Sequence, residues 1–150
     1  MAIRNILQIG DPTLRKKSFE VTDFGEKLHE LLDDMKETLI KANGAGLAAP
    51  QVGVLRRVFI VSADEQYFEC VNPVITARSG KQIGDEGCLS VHGKYGTVER
   101  PNKVTVVAFD RFGKKFTVHA QGFLARAFCH EYDHLDGIIY VDKALNLQED

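Results

Sequence analysis

The segment FCHEYDHLDG, residues 128–137, contains two histidines four positions apart, with a glutamate directly after the first. Residues i and i+4 of an α-helix are neighbours, about 5–6 Å apart at Cβ, so two imidazoles at this spacing can bind one metal ion. Glu131 is turned from His130 by about 100° around the helix, so it can approach a metal-bound water without being a ligand. The segment therefore has the HExxH arrangement of a catalytic metal site.

The alternative is that both histidines are hydrogen-bonded core residues. We predict a helix from about Gln121 to Leu135, and on it His130 and His134 share the apolar stripe of the core-facing side. Burying two imidazoles and a carboxylate without partners would cost several kcal/mol. We therefore favour a metal site over two core histidines.

A third ligand has to come from a position upstream of this helix. In the metallopeptidase pattern HExxHxxGxxH, Gly137 is in place but the third ligand position is Tyr140, which matches poorly. Another peptidase class uses a downstream glutamate, and the sole glutamate after His134 is Glu149, in a segment that we expect to be a loose tail.

Among the candidates outside the HExxH pair, Cys88 in the segment DEGCLSVHG is the best match. It lies between a glycine and a polar turn, where packing in the core would not explain a thiol. Cys70 lies in a strand-like run, and Cys129 points away from the ion. His92 and His119 are expected at the surface or in strands. Two imidazoles and one thiolate leave a fourth tetrahedral position open for water, as in a catalytic site.

The rest of the chain predicts two further helical segments. A short helix is expected to start at Asp11-Pro12, with aspartate as N-cap and proline in the first turn. A long N-terminal amphipathic helix is expected to begin at a cap on Thr22 or Asp23 and to end near Asn43-Gly44.

Short runs rich in β-branched and aromatic residues predict strands in the middle of the chain. They are residues 57–62, 67–76, 103–109 and 115–120, with a last short strand at 138–141. The sequence DRFG, residues 110–113, is typical of a hairpin turn between the third and fourth of these strands. Helices flanking a block of strands, without βαβ alternation, indicate an α+β fold.

Length and composition indicate a single domain, residues 1–150, of ordinary globular character. Hydrophobic residues make up 44% and charged residues 27%. The net charge of −2 does not favour nucleic-acid binding or contact with a membrane surface. The opening segment MAIRNILQIGDP has no apolar run long enough for a signal peptide or a membrane span, so we expect a cytoplasmic protein.

Three segments together resemble the peptide deformylase family: GAGLAAPQ (44–51), EGCLS (86–90) and HEYDH (130–134). They occur in the family's order and with about its spacing, and the resemblance covers nearly the whole chain. It implies antiparallel or mixed β-sheets packed around the HExxH helix. It also implies that Cys88, His130 and His134 hold one divalent metal ion, most often Fe(II), with Zn, Ni or Co as alternatives.

The implied reaction removes the N-formyl group from the N-terminal formylmethionine of newly made polypeptides and releases formate. Metal-activated water would attack the formyl carbonyl, with Glu131 as general acid and base. The side chain of Gln51 and the backbone N–H of Leu89 would stabilise the oxyanion.

The resemblance also implies where the substrate lies. The peptide is expected to run as an added strand beside Gly44, Ala45 and Gly46, where small residues allow close approach of another backbone. Phe123 and Ala127 are plausible walls for the methionine pocket, because the helix presents them beside the ligands.

Several residues near the site have supporting or unassigned roles. We predict that Glu86 and Arg100 form an ion pair that braces the Cys88 loop. Cys129 and His92 occupy positions where the family commonly has glutamine and proline, respectively. Neither difference affects the core chemistry, although a thiol at position 129 adds sensitivity to oxidation near a ferrous ion.

Two rival functions remain open at this stage, a zinc peptidase and a protein that binds formylated or free N-termini without turnover. The family setting implies a bacterial cytoplasm, nascent formylmethionyl peptides as partners and transient contact with the ribosome. We expect a monomer that binds neither nucleic acid nor membrane. The C-terminal segment ALNLQED lacks the basic helix of longer family members, which weakens any ribosome docking that relies on it.

Overall fold

The computed structural model describes residues 2–149, in which two α-helices accompany eight β-strands. The helices are α1 (Glu26–Ala42) and α2 (Phe123–His134). The strands are β1 (Gly46–Ala48), β2 (Val58–Ala63), β3 (Gln66–Ser79), β4 (Gln82–Cys88), β5 (Val91–Arg100), β6 (Lys103–Phe109), β7 (Lys115–Gln121) and β8 (Ala144–Glu149). Short 3-10 helices lie at Pro12–Arg15, Ala49–Val52 and Tyr140–Asp142.

The strands form two sheets, one with the order β1-β2-β3-β6-β7 and one with the order β4-β5-β8. Every pair of neighbouring strands is antiparallel. The prediction of an α+β fold with antiparallel sheets is therefore confirmed. The turn predicted at residues 110–113 is also present, because β6 and β7 pair across it from Phe109–Lys115 to Lys103–Gln121.

Helix α2 packs against β1, β2 and β7 of the larger sheet. Its Phe128 is fully buried and meets the rings of Phe59 and Phe68 at centroid distances of 5.9 and 5.3 Å. The edge-on and tilted arrangement of these rings is the one that aromatic pairs favour. This contact fixes the side of α2 that carries the two histidines relative to the sheet.

Helix α1 begins at Glu26 with Gly25 as N-cap and without a side-chain cap. The predicted cap on Thr22 or Asp23 is wrong, because Asp23 Oδ1 instead accepts a hydrogen bond from Gly25 N–H within the preceding turn. The predicted end is confirmed, since Asn43 takes the left-handed conformation that terminates helices. The buried face of α1 packs on the larger sheet through the residues Leu28, Leu31, Leu32, Met35 and Leu39.

The first residues of the chain are attached to α1 through buried Asp34. Its carboxylate accepts hydrogen bonds from Ala2 N–H at 2.7 Å and from Arg4 Nε at 2.9 Å. Burial alone would raise the pKa of Asp34, but these two partners outweigh it and lower the pKa. The short helix predicted after Asp11 is present as a 3-10 turn, with Asp11 accepting from Thr13 N–H.

The strand predicted at residues 138–141 is wrong. Tyr140–Asp142 forms a 3-10 turn in which Asp142 Oδ2 accepts from Ile139 N–H, and Arg15 pairs with the same carboxylate. The chain then continues as β8, so Glu149 pairs with Lys94 of β5 and does not lie in a loose tail. Neither helix in the described part of the chain is long and apolar enough to cross a membrane.

Candidate metal centre

The three predicted ligands lie together between β4 and α2. One ligand atom from each of Cys88, His130 and His134 lies within 4.8 Å of the other two, and Cys88 Sγ is 3.4 Å from His134 Nε2. The two imidazole centroids are 5.1 Å apart, as the spacing of one helical turn requires. One sulfur and two nitrogen donors suit Fe(II), Zn, Co and Ni better than Mg or Ca, so the residues fit a transition metal.

The β4–β5 hairpin brings Cys88 to the helix. Cys88 is the last residue of β4 and pairs with Val91, and the strand register shifts between Glu86 and Cys88. An irregularity of this kind re-aims the side chains that follow it. The sulfur is therefore turned towards α2.

Glu131 lies beside this cluster in a buried position, against the backbone of β1. A Cβ built at Gly46 would lie only 2.5 Å from Glu131 Oε2, so the carboxylate occupies the space that glycine leaves. Glu131 Oε1 is buried without a hydrogen-bond partner among the described residues. Burial raises the pKa of Glu131 to about 7, against the opposing effect of His130. A carboxyl group with this pKa can both accept and donate a proton near neutrality.

Gln51 is buried and held in one orientation. Its Oε1 accepts from Ala48 N–H at 2.9 Å, which identifies the opposite atom of the amide as the nitrogen. That Nε2 donates to Ser90 Oγ at 3.0 Å and lies 3.6 Å from Cys88 Sγ. The Gln51 amide nitrogen is therefore held between Ser90 and the proposed ligand Cys88.

The N-terminal segment contacts the backbones that carry both predicted oxyanion donors. Leu7 N–H donates to the carbonyl of Gln51 at 2.7 Å. The side chain of Gln8 donates to the carbonyl of Leu89 at 2.9 Å. Sequence patterns gave no indication of these contacts, because they join positions far apart in the chain.

The predicted Glu86–Arg100 pair is present and buried, with residue exposures of 6% and 3%. Arg100 Nε and Nη2 donate to the two carboxylate oxygens at 2.8 and 2.9 Å. His130 Nδ1 lies 2.8 Å from Glu86 Oε1, and Arg126 Nη1 donates to Oε2 at 2.6 Å. Burial would raise the pKa of Glu86, but the partners Arg100 and His130 outweigh it and hold the pKa well below its usual value.

Arg126 is the residue of this cluster that sequence reasoning missed. It precedes His130 by four positions and therefore belongs to the same stripe of α2. A charged residue on a stripe assigned to the core was the available signal, because such a charge needs a buried partner.

A cavity of about 690 Å³ opens beside the cluster. All five residues predicted to contact substrate line it, namely Gly44, Ala45, Gly46, Phe123 and Ala127. Exposed His92 lies on its β5 side. Cys129, by contrast, belongs to the apolar core behind α2, where burial raises the pKa of its thiol.

Comparison with known proteins agrees with these features. The sequence matches the family model described as Polypeptide deformylase over residues 3–150. It is 54% identical over 145 residues to a peptide deformylase of Caldicellulosiruptor bescii, covering 97% of this chain and 87% of that one. It is 48% identical over 152 residues to that of Halothermothrix orenii, covering 100% and 99%. The crystal structure of the Thermotoga maritima peptide deformylase superposes with a TM-score of 0.94 at 34% identity, covering 96% and 99%. The chain therefore belongs to the peptide deformylase family, hydrolases that remove the N-formyl group from nascent polypeptides.

Proposed function

We propose that residues 1–150 form one catalytic domain that hydrolyses the formyl amide of N-terminal formylmethionine and releases formate. The observation that carries this proposal is the cluster of Cys88, His130 and His134, of which Cys88 and His130 line one cavity together with Glu131 and Gln51. Helix α2 would be the central scaffold, because it carries three of these five residues and packs on the larger sheet.

Cys88, His130 and His134 would hold one divalent ion, with Fe(II) as the ion in the cell and Zn, Ni or Co as alternatives. Such an ion supplies Lewis-acid chemistry, lowering the pKa of water towards neutrality and polarising the formyl carbonyl. The donor set of one thiolate and two imidazoles supports this choice.

Glu131 would move the proton in both halves of the reaction. It takes the proton of the attacking water and then delivers it to the amide nitrogen that leaves. Its burial and its pKa of about 7 support both roles, since neither protonation state is strongly disfavoured near neutral pH. Gly46 keeps this carboxylate in place by leaving room for it.

Gln51 and Leu89 would stabilise the negative charge that develops on the formyl oxygen. The Gln51 amide is preorganised by Ala48 and Ser90, so it needs no rearrangement as the charge grows. Loss of one such donor costs about 2.7–4 kcal/mol of transition-state stabilisation in other hydrolases. The backbone N–H of Leu89 would be the second donor.

The nascent peptide would lie along β1 as an added strand. β1 is an edge strand of the larger sheet; Gly44 and Ala45 lead into it, Gly46 is its first residue, and all three line the cavity. A peptide bound in this way is recognised by its main chain, which suits an enzyme that acts on many sequences. Phe123 and Ala127 would form walls of the methionine pocket.

The proposal extends to the ion pair beside the site and to the cellular setting of the protein. Glu86 and Arg100 would brace the Cys88 loop against α2. The protein would act as a monomer in the bacterial cytoplasm, in transient contact with the ribosome. The bacterial relatives and the moderate net charge of −2 support this setting.

The decisive experiment is anaerobic purification followed by metal analysis and a formate-release assay on a formyl-Met peptide. We expect one ion per chain and formate release that a chelator abolishes, with the acetyl-Met peptide as the unreactive control. Bound metal without formate release would favour a binding protein. Cleavage of an internal peptide bond would favour a peptidase.

A further inference from the structure

We propose that Arg126 is a positioning residue of the metal centre, acting through Glu86 on His130, an inference that rests on the proposed metal-dependent function. Arg126 is buried on α2, one helical turn before His130. Among the described residues it makes no hydrogen bond to the proposed ligands, and its hydrogen bonds lead to Gly84 and Glu86 of β4 and to Val98 of β5.

The carboxylate of Glu86 has all its acceptor positions occupied. Oε1 faces Arg100 Nη2 at 2.9 Å and His130 Nδ1 at 2.8 Å. Oε2 faces Arg100 Nε at 2.8 Å and Arg126 Nη1 at 2.6 Å. An ionised carboxylate has about four lone-pair positions, so this group is saturated with donors and fixed in orientation.

This saturation determines how His130 is presented. An ionised Glu86 has no hydrogen to give, so His130 Nδ1 has to be the donor of the hydrogen bond between them. Nε2 is then the nitrogen that remains to bind an ion. His134 has no comparable support among the described residues, because its buried Nδ1 lacks a hydrogen-bond partner. Of the two imidazoles, His130 is therefore the one whose orientation depends on Glu86.

Arg126 ties Glu86 to backbone carbonyls of β4 and β5 as well as to α2. Arg100 also donates to Asp133, so its guanidinium is shared between Glu86 and a second carboxylate, one that α2 itself carries. Arg126 Nη1 donates in addition to the carbonyls of Val98 at 3.1 Å and Gly84 at 3.3 Å. One guanidinium therefore joins α2 to β4 and β5 at the level of Glu86.

The glycine at position 84 agrees with this role. A Cβ built there would lie 3.1 Å from Arg126 Nη2, so the guanidinium packs against the bare backbone of β4. Without Arg126, Glu86 Oε2 would keep one donor of two, and the carboxylate would be free to rotate away from His130. Changes of this kind around metal ligands typically reduce metal affinity about 10–100-fold.

The test is the Zn(II) affinity of Arg126→Met, measured by competition with a chromophoric chelator, together with the visible spectrum of the Co(II)-loaded protein. We expect affinity to fall about 10–100-fold, with an altered Co(II) spectrum. Arg126→Lys, which retains the charge, should recover part of the loss. Arg57→Met is the matched control, because Arg57 binds Leu135 and Asp136 beyond the end of α2 and should leave affinity unchanged.

Wild-type affinity in a folded Arg126→Met protein would overturn the inference. If that variant does not fold, Arg126→Gln takes its place, because glutamine keeps one polar donor group in the buried site. The expected fall in Zn(II) affinity is the same, and wild-type affinity in this variant would likewise overturn the inference. A wild-type protein that binds no Zn(II) would instead refute the proposed function. The two failures are thus distinguished by which protein shows them.

Discussion

Gly46→Ala is expected to disable the enzyme while leaving its metal in place. The added Cβ would lie 2.5 Å from Glu131 Oε2 and 2.9 Å from both Cγ and Cδ of that side chain. Because carbon–oxygen contacts need more than 3 Å, the carboxylate has to move by roughly 0.5–1 Å or β1 has to shift. A misplacement of about 1 Å in a catalytic group can cost on the order of 100-fold in rate.

We therefore expect kcat for formate release from a formyl-Met peptide to fall about 100-fold, equivalent to about 2.7 kcal/mol in the activation barrier. Metal content should stay at the wild-type level, because the atoms closest to the new methyl group all belong to Glu131. Overpacking should also lower the free energy of unfolding by about 1–3 kcal/mol.

Gly87→Ala is the matched control. A Cβ at Gly87 would make one ordinary contact, 3.8 Å from the Lys94 carbonyl oxygen, so kcat should stay close to that of the wild type. A Gly46→Ala protein with full metal content and a kcat within about threefold of the wild type would refute the steric reasoning.

Three further predictions concern the site and its supports. Glu131→Ala should retain metal but lose about 10²–10⁴-fold in kcat, whereas Cys88→Ala should lose metal. Metal analysis that finds the ion retained in Cys88→Ala as well would contradict the ligand assignment. Gln8→Ala removes a hydrogen bond to the Leu89 carbonyl worth about 0.5–1.5 kcal/mol, so kcat should fall up to about tenfold with little change in KM. Asp34→Asn should lower stability by about 1–3 kcal/mol at neutral pH. The pKa of Asp34 is lowered from its ordinary value in the folded protein, so its stabilisation is present above that ordinary value and is lost as pH falls below it. Thermal melts of the wild type should consequently depend on pH in acid more steeply than those of Asp34→Asn; parallel curves would argue against the role of this carboxylate.

Local patterns in the sequence predicted the parts of the site that depend on local geometry. The spacing of HEYDH places both imidazoles on one side of a helix whatever the rest of the fold does. The long-range position of Cys88 came from the family resemblance and from elimination of other ligands. Helical periodicity indicates that Arg126 needs a buried partner, but it does not identify Glu86 as that partner, because pairing across 40 residues leaves no local signal.

The strands that were missed have compositions unlike ordinary strands. β4 has the sequence QIGDEGC, in which glycine and acidic residues disfavour a strand assignment. Its conformation depends on partners elsewhere, since Glu86 meets Arg100 and Arg126 only after folding. The opposite error at residues 138–141 arose because a short apolar run suits a buried 3-10 turn as well as a strand.

The ligands of the metal centre are widely separated along the chain, with Cys88 and His134 46 positions apart. Because translation proceeds from the N-terminus, Cys88 is already part of the chain before either histidine has been added. A partly made copy therefore has an incomplete ligand set, and folding of the helix that carries both histidines completes it. With the proposed function, each generation of nascent chains, including new copies of this protein, depends on enzyme molecules finished earlier.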